Sequence, residues 1–185
     1  MNTKIGFIGT GLMGFPMAKN LLKKDFYLKV FNRTITKAEP LDEFGAKISK
    51  SLGEVAKNSD LIITMLTDDE AVEKVLSNED FLNNLKESST VIDMSSTKPT
   101  ISIKYGNLLK NKGVNFLDAP VSGGTIGAQN ASLAIMVGGD QDVFNKSINI
   151  LKVLGNPTLV GPIGSGQVSK LANQIIVGIS IGAVA

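Results

Sequence analysis

The sequence predicts an α/β fold: a doubly wound, mostly parallel sheet with helices on both faces. Three observations carry that prediction. Short apolar runs of strand length recur along the chain. Helical patterns separate them, and strands buried on both faces read as such unbroken apolar runs. Finally, the 185 residues hold no internal repeat and no low-complexity linker, so the alternation belongs to one ordinary domain with at most an appendage.

The elements follow in order. "KIGFIG" reads as a buried strand, and "GLMGFPMAKNLLKK" continues as a helix through the spacing of Leu12, Met13, Met17, Leu21 and Leu22. "YLKVFNR" is a second strand, with "LIITML" (61–66) and "TVIDMS" (90–95) as further short strands. Between those two, "DDEAVEKVL" has its acids early and Lys74 late, the charge order a helix dipole favours. "ISIKYGNLLKNKG" is a helix ended by Gly113. "VNFLDAP" and "LAIMVGG" are strands, "QDVFNKSINILKVL" a helix and "PTLVG" a last short strand. The end, "QVSKLANQIIVGISIGAVA", is apolar with helical period and carries no charge from Ile175 onward. That uncharged stretch is short of the roughly 20 residues a membrane span needs. A helix apolar on all sides is normally covered on all sides. The expectation is cover from outside this sequence, with packing on its own domain as the alternative.

Composition narrows the chemistry. Hydrophobic residues make up 43% and charged residues 19%, enough for a packed core. A net charge of +2 from scattered lysines gives no case for nucleic acid. The absence of cysteine removes disulfides and thiolate chemistry, and the absence of histidine removes the usual acid/base and the commonest metal ligand. No metal site is expected. Proton transfer falls to Lys, Asp, Glu, Tyr or a hydroxyl. "MNTKIGFIG" shows no cleavable signal, so the cytoplasm is the expected location.

Between the first strand and helix lies "GTGLMG". Glycines at 9, 11 and 14 in a strand–turn–helix context form a dinucleotide fingerprint of the Rossmann type. Gly9 makes the tight turn, Gly11 admits a pyrophosphate and Gly14 lets the helix approach the sheet, with Leu12 and Met13 at the tip. The helix N-terminus then presents free N–H groups to the phosphates. In NAD-binding versions an acid ends the second strand and accepts from the ribose 2′-hydroxyl. Here "VFNRT" carries no acid between Asp25 and Glu39. Arg33 is placed to fork onto a 2′-phosphate, with Asn32 and Thr34 adding hydrogen bonds. The reading is NADP(H) in preference to NAD(H); the plainer alternative is a solvated surface arginine.

Three more stretches complete a pattern: "DMSSTKP" (93–99), "DAPVSGG" (118–124) and "GSGQVSKLANQ" (164–174). With the glycine loop, they occur in the order found in the β-hydroxyacid dehydrogenases, which the chain resembles over essentially its whole length. The "KLANQ" form most resembles the tartronate semialdehyde reductase branch. The resemblance implies an oxidoreductase that moves a hydride between NADP(H) and a small β-hydroxyacid or semialdehyde. It implies Lys170 as the catalytic acid/base and Ser122, Gly123 and Gly124 as the holders of the substrate carboxylate. It also implies Met65, Leu66 and Thr97 beside the cofactor. Two glycines in a row suit an anion nest, although "SGG" alone equally makes a turn, and Met65 and Leu66 alone equally read as core. Asp93 and Asp118 read as strand-end residues rather than catalytic ones.

Lys170 has Asn173 and Gln174 one turn on, so one helix face holds an ammonium and two amides. Either amide can bind the substrate hydroxyl or orient the lysine. Read without the resemblance, Lys170 also fits a snorkelling surface lysine. Relatives often place Asn four residues after the lysine, where this chain has Gln174, so the working amide stays open between Asn173 and Gln174. Relatives of the 6-phosphogluconate dehydrogenase type use a histidine just after the lysine, and imine reductases usually replace the lysine; this chain does neither. The resemblance further implies residues 1–163 as an NADP-binding domain and 164–185 as the start of a long helix leading to an all-α domain. A homo-oligomer is expected, with no nucleic-acid or membrane partner.

Overall fold

A computed structural model describes residues 3–184. Six strands run parallel: β1 (Lys4–Ile8), β2 (Tyr27–Phe31), β3 (Lys47–Ile48), β4 (Leu61–Thr64), β5 (Thr90–Asp93) and β6 (Asn115–Asp118). Their spatial order is β3-β2-β1-β4-β5-β6, the doubly wound arrangement. Next come β7 (Val121–Ser122), β8 (Leu133–Gly139) and β9 (Gly155–Gly161). β8 runs antiparallel to β6 and to β7, while β9 runs parallel to β8. The predicted class therefore holds, with an antiparallel turn at one edge.

The helices are α1 (Gly14–Leu22), α2 (Leu52–Ala56), α3 (Asp69–Leu76), α4 (Glu79–Asn84), α5 (Pro99–Lys110), α6 (Gly124–Gln129), α7 (Gln141–Leu151) and α8 (Ser165–Val184). They cover both faces because the strands alternate. Phe7, Ile63, Ile92 and Leu117 point into one core with Met17 and Leu21 of α1 and Phe144 of α7. Their neighbours Ile8, Ile62, Val91 and Phe116 point into a second core with Val72 and Leu76 of α3 and Tyr105 of α5. Period-two alternation in a strand buried on both sides makes two cores from one apolar run. The elements absent from the sequence reading are β3, β7, α2, α4 and α6, all of six residues or fewer, too short to show a period. α1 begins at Gly14, not Gly11, because the loop residues Gly9–Met13 turn before the helix starts.

α8 behaves as two pieces. Gly166 and Gln167 are buried, yet Ile175, Ile176, Ile179 and Ile181 are each more than 60% exposed. The alternative that this helix packs on its own domain is thereby excluded for residues 175–184. The final Ala185 lies outside the described residues. Among the described residues, no helix is long and apolar enough to cross a membrane.

Candidate active site

The crevice lies where the strand order reverses, past the C-terminal ends of the parallel neighbours β1 and β4. At the end of β1, Gly9 turns with φ +97° and donates its N–H to the Phe31 carbonyl at 2.9 Å. A Cβ at Gly9 would strike the Met65 carbonyl oxygen, and one at Gly14 would strike the Gly9 carbonyl oxygen. A Cβ at Gly11 would meet no heavy atom within 4 Å. Two of the glycines thus close the loop on itself, while the third keeps space clear outside it. No side chain caps α1 and no acid stands in its first turn. The helix therefore offers bare N–H groups and the positive end of its dipole to an anion. Leu12 is 85% exposed at the tip and Met13 is half-buried behind it. A cavity of about 640 Å³ flanks the loop, with Lys19, Lys23 and Lys37 on its walls.

Past β2, Asn32 accepts from the Thr10 N–H at 3.0 Å and donates to the Thr34 carbonyl at 2.9 Å. It is first a brace between the glycine loop and the loop after β2, a role not visible in the sequence, and one amide N–H remains for a ligand. Arg33 and Thr34 are exposed, and none of the ion pairs among the described residues uses Arg33. Asp68 opposite is held below the ordinary carboxylate range by the Ala71 N–H and the Thr67 hydroxyl, with a smaller contribution from the Arg33 charge.

Met65 and Leu66 leave β4 half-buried. The Met65 N–H donates to the Ile8 carbonyl at 2.8 Å and the Leu66 N–H to Ser95 Oγ at 2.9 Å. Each also packs on one of the two cores, which bears out the core reading of both. In the loop after β5, Thr97 is only 7% exposed and its Oγ1 has no hydrogen-bond partner. A buried hydroxyl without a partner is costly unless a ligand supplies one.

A second corner of the molecule is built by α8. Asp118, at the end of β6 and fully buried, accepts from the Gly164 N–H at 2.7 Å and the Gln167 N–H at 2.9 Å. Burial pushes its carboxyl up, and those N–H groups pull it back. A Cβ on Gly166 would crowd the Met136 carbonyl and Asp118 itself, so glycine lets the helix start sit directly on the sheet. Three residues beyond Gln167, Lys170 is half-buried, and desolvation lowers its pKa from the ordinary lysine value. Its Nζ donates to Gln174 Oε1 at 2.9 Å. Asn173 Nδ2 donates to Ser122 Oγ at 3.2 Å. Gln174 thus meets the lysine, and Asn173 meets the hydroxyl of Ser122. Lys170 shares a cavity of about 280 Å³ with Thr97, Gln174 and the Lys98–Asp69 ion pair. Gly123 and Gly124 follow Ser122 with φ of +134° and +61°, and a Cβ on Gly124 would meet nothing within 4 Å.

Asp93, the neighbour of Asp118 in register, is fully buried. Thr64 Oγ1 and the Ser95 N–H donate to its Oδ1, while Oδ2 has no partner. Burial raises its pKa above the ordinary carboxylate value. Among the described residues, no cluster of acids suits a metal ion.

Residues 4–164 match the family described as the NAD binding domain of 6-phosphogluconate dehydrogenase. The chain belongs to that family. Its relatives include the 2-hydroxy-3-oxopropionate reductase of Escherichia coli, 43% identical over 184 residues, covering 98% of this chain and 62% of that protein. Among solved structures, the 3-hydroxyisobutyrate dehydrogenase of Mycobacterium tuberculosis with L-serine superposes with a TM-score of 0.95 at 32% identity, over 100% of this chain and 63% of its own. Psf3 in complex with NADP+ and 2-OPP superposes with a TM-score of 0.88 at 27% identity, over 91% of this chain and 61% of its own. The chain spans 53–62% of the length of three curated relatives that it matches. The family and the loop geometry together make this a domain for NAD or NADP, consistent with the resemblance read from the four motifs.

Proposed function

We propose that this chain forms the cofactor-binding part of an NADP(H)-dependent oxidoreductase acting on small β-hydroxyacids or their semialdehydes. One observation carries the reading. A desolvated lysine on α8 shares a cavity with Thr97 and is linked through Gln174 and Asn173 to Ser122, at the head of the Ser122–Gly124 turn. That arrangement puts a proton donor and a buried hydroxyl in need of a partner in one cavity, with an anion-binding turn joined to it by side-chain hydrogen bonds. Thr97 follows β5 as the glycine loop follows β1, both past the C-terminal ends of parallel strands. The residues fit a dinucleotide: Gly11 leaves room for the pyrophosphate and α1 faces it uncapped. Arg33, Asn32 and Thr34 would hold the 2′-phosphate, and Met65, Leu66 and Thr97 would flank the nicotinamide. When bound, that ring exchanges a hydride with the substrate carbon.

The chain's own residues do the rest. Ser122 and the N–H groups of Gly123 and Gly124 hold the carboxylate and fix the carbonyl in one orientation. In reduction, Lys170 Nζ gives a proton to the carbonyl oxygen; in oxidation, the neutral amine takes it back from the hydroxyl. Desolvation lowers the lysine pKa and so makes the neutral amine easier to reach. Relatives named for 3-hydroxyisobutyrate and 2-hydroxy-3-oxopropionate support this substrate class.

The test is Lys170→Ala in the full-length protein, assayed with tartronate semialdehyde, glyoxylate, succinic semialdehyde and 3-hydroxyisobutyrate, each with both cofactors. Turnover should fall about 10²- to 10⁴-fold while NADPH binding is kept. The wild-type reduction rate should fall as pH rises through the lysine's lowered pKa, because the acid form is lost; the oxidation rate should rise over the same window. Full turnover in Lys170→Ala sinks the assignment. The 185 residues alone should bind NADPH and turn over slowly, because α8 beyond Gln174 is exposed along its length and does not shape the cavity.

A further inference from the structure

We propose that Gln167 is a positioning residue: its side-chain amide sets the spacing between the cofactor-side loop and the lysine on α8. The proposal rests on the assignment of Lys170 as the proton donor. Gln167 is 1% exposed. Its Nε2 donates to the Ser95 carbonyl at 2.9 Å and its Oε1 accepts from the Thr97 N–H at 3.1 Å. One side chain thus grips both backbone groups that flank Ser96, some 70 residues away in sequence. Its own N–H is fixed at the other end, on Asp118 Oδ2. The amide therefore spans from a helix seated on the sheet to the loop that carries Thr97.

The grip extends in both directions. Ser95 Oγ accepts from the Leu66 N–H and the Ser95 N–H donates to Asp93, so the loop is also pinned to the end of β4. Lys170 lies three residues beyond Gln167 on the same helix face. Leu66, Ser95, Gln167 and Lys170 thus form one linked series, with residues expected beside the cofactor at one end and the proton donor at the other. An amide suits the central place because it donates and accepts at once. A carboxylate can serve only the Thr97 N–H, and a thioether of the same length serves neither partner. Either change leaves a buried backbone group unpaired and frees the loop from the helix.

Gln167→Met, Gln167→Glu and Lys170→Ala in the full-length protein test this. Two measurements are made: amide hydrogen exchange without cofactor, and steady-state kinetics with NADPH and its 4-deuterated form. In Gln167→Met, exchange at Thr97 should rise about tenfold or more, reflecting the lost acceptor. Turnover should fall about 10- to 100-fold, as misplacement of roughly an ångström does, with the aldehyde KM changed less than about threefold. The deuterium isotope effect should increase as hydride transfer becomes the slow step. Gln167→Glu should keep Thr97 protected and still lose turnover, because the Ser95 carbonyl is released. Should Gln167→Met fail to fold, Gln167→Glu carries the kinetic test. Wild-type turnover and isotope effect in the folded Gln167 variants, beside a dead Lys170→Ala, overturn the positioning role alone. A Lys170→Ala protein with wild-type turnover overturns both readings.

Discussion

The two ends of the cleft are made from different materials. The cofactor end is mostly backbone: Gly9 and Gly14 close on carbonyl oxygens, Gly11 faces open space and α1 presents uncapped N–H groups. The α8 end is mostly buried side chains: Asp118 receives the helix, Gln167 grips the loop, and Lys170 is held by Gln174. The first is built mainly on one short loop, with Gly9 also seated on the Met65 carbonyl. In the second, the bonds from Asp118 to Gly164 and from Gln167 to Ser95 join residues 46 and 72 positions apart. A backbone site tolerates almost no added atom, whereas a side-chain network tolerates a change of atoms only while every partner stays paired.

The largest effect we expect comes from breaking the backbone end in two distinct ways. In Gly14→Ala, the new methyl overlaps the Gly9 carbonyl oxygen and crowds the Phe7 ring at 3.1 Å. The Gly9 carbonyl is fixed backbone and the Phe7 ring is fully buried, so the loop must open, and both folding stability and NADPH binding should be lost. In Gly11→Ala, the methyl meets no protein atom, and φ there is not positive. Thermal unfolding should then stay within a few degrees of wild type, while NADPH affinity falls about 10²-fold or more, because the methyl occupies the approach of the pyrophosphate. Equal effects in the two variants would show that Gly11 serves the fold rather than a ligand.

This contrast also explains what the sequence could reveal. The glycine loop was legible because its three glycines stand at fixed spacing, and strand–turn–helix context reads directly from apolar period. The parallel strands were legible for the same reason, since Phe7 and Ile8 or Ile62 and Ile63 need only be apolar to fill their two cores. Gln167 was not. A single glutamine beside an apolar helix carries no periodic signal, and its partners Ser95 and Thr97 are backbone groups of another loop. Asn32 stood out in the sequence only as a polar residue after the second strand, and its brace to Thr10 depends on how two loops approach in space. The antiparallel β7–β8 corner was missed because a two-residue strand has no period.

A smaller effect sharpens the cofactor choice. Arg33 is exposed at the end of β2 and takes part in no ion pair among the described residues. A charge-assisted hydrogen bond to a phosphate is worth roughly 1.5–3 kcal/mol. Arg33→Ala should therefore weaken NADPH binding about 10- to 100-fold and leave NADH binding nearly unchanged, as read by fluorescence titration with each cofactor. An unchanged preference would remove Arg33 from the assignment and leave the 2′-phosphate to Asn32 and Thr34.

The smallest effect lies under the α8 end, at Asp93. Its pKa is raised by burial, with the Thr64 hydroxyl and Ser95 opposing and the Asp118 charge adding to the rise. The folded state therefore holds a proton that the unfolded chain releases near its ordinary value of 3.8. Between that value and the raised one, the native protein binds more protons than the unfolded chain, so this carboxyl's contribution to stability falls as pH rises through the window. Asp93→Asn keeps an oxygen for the Thr64 hydroxyl and the Ser95 N–H and cannot ionise. Its stability relative to wild type should rise from about pH 4 upward and level off once the wild-type carboxyl has ionised, in urea unfolding repeated across pH. The paired design isolates this residue: Asp118 is present in both proteins, so its own titration largely cancels in the difference. A difference that does not change with pH would mean that Asp93 keeps its ordinary ionisation, and a buried water or a rotated side chain would then have to supply the partner that Oδ2 lacks.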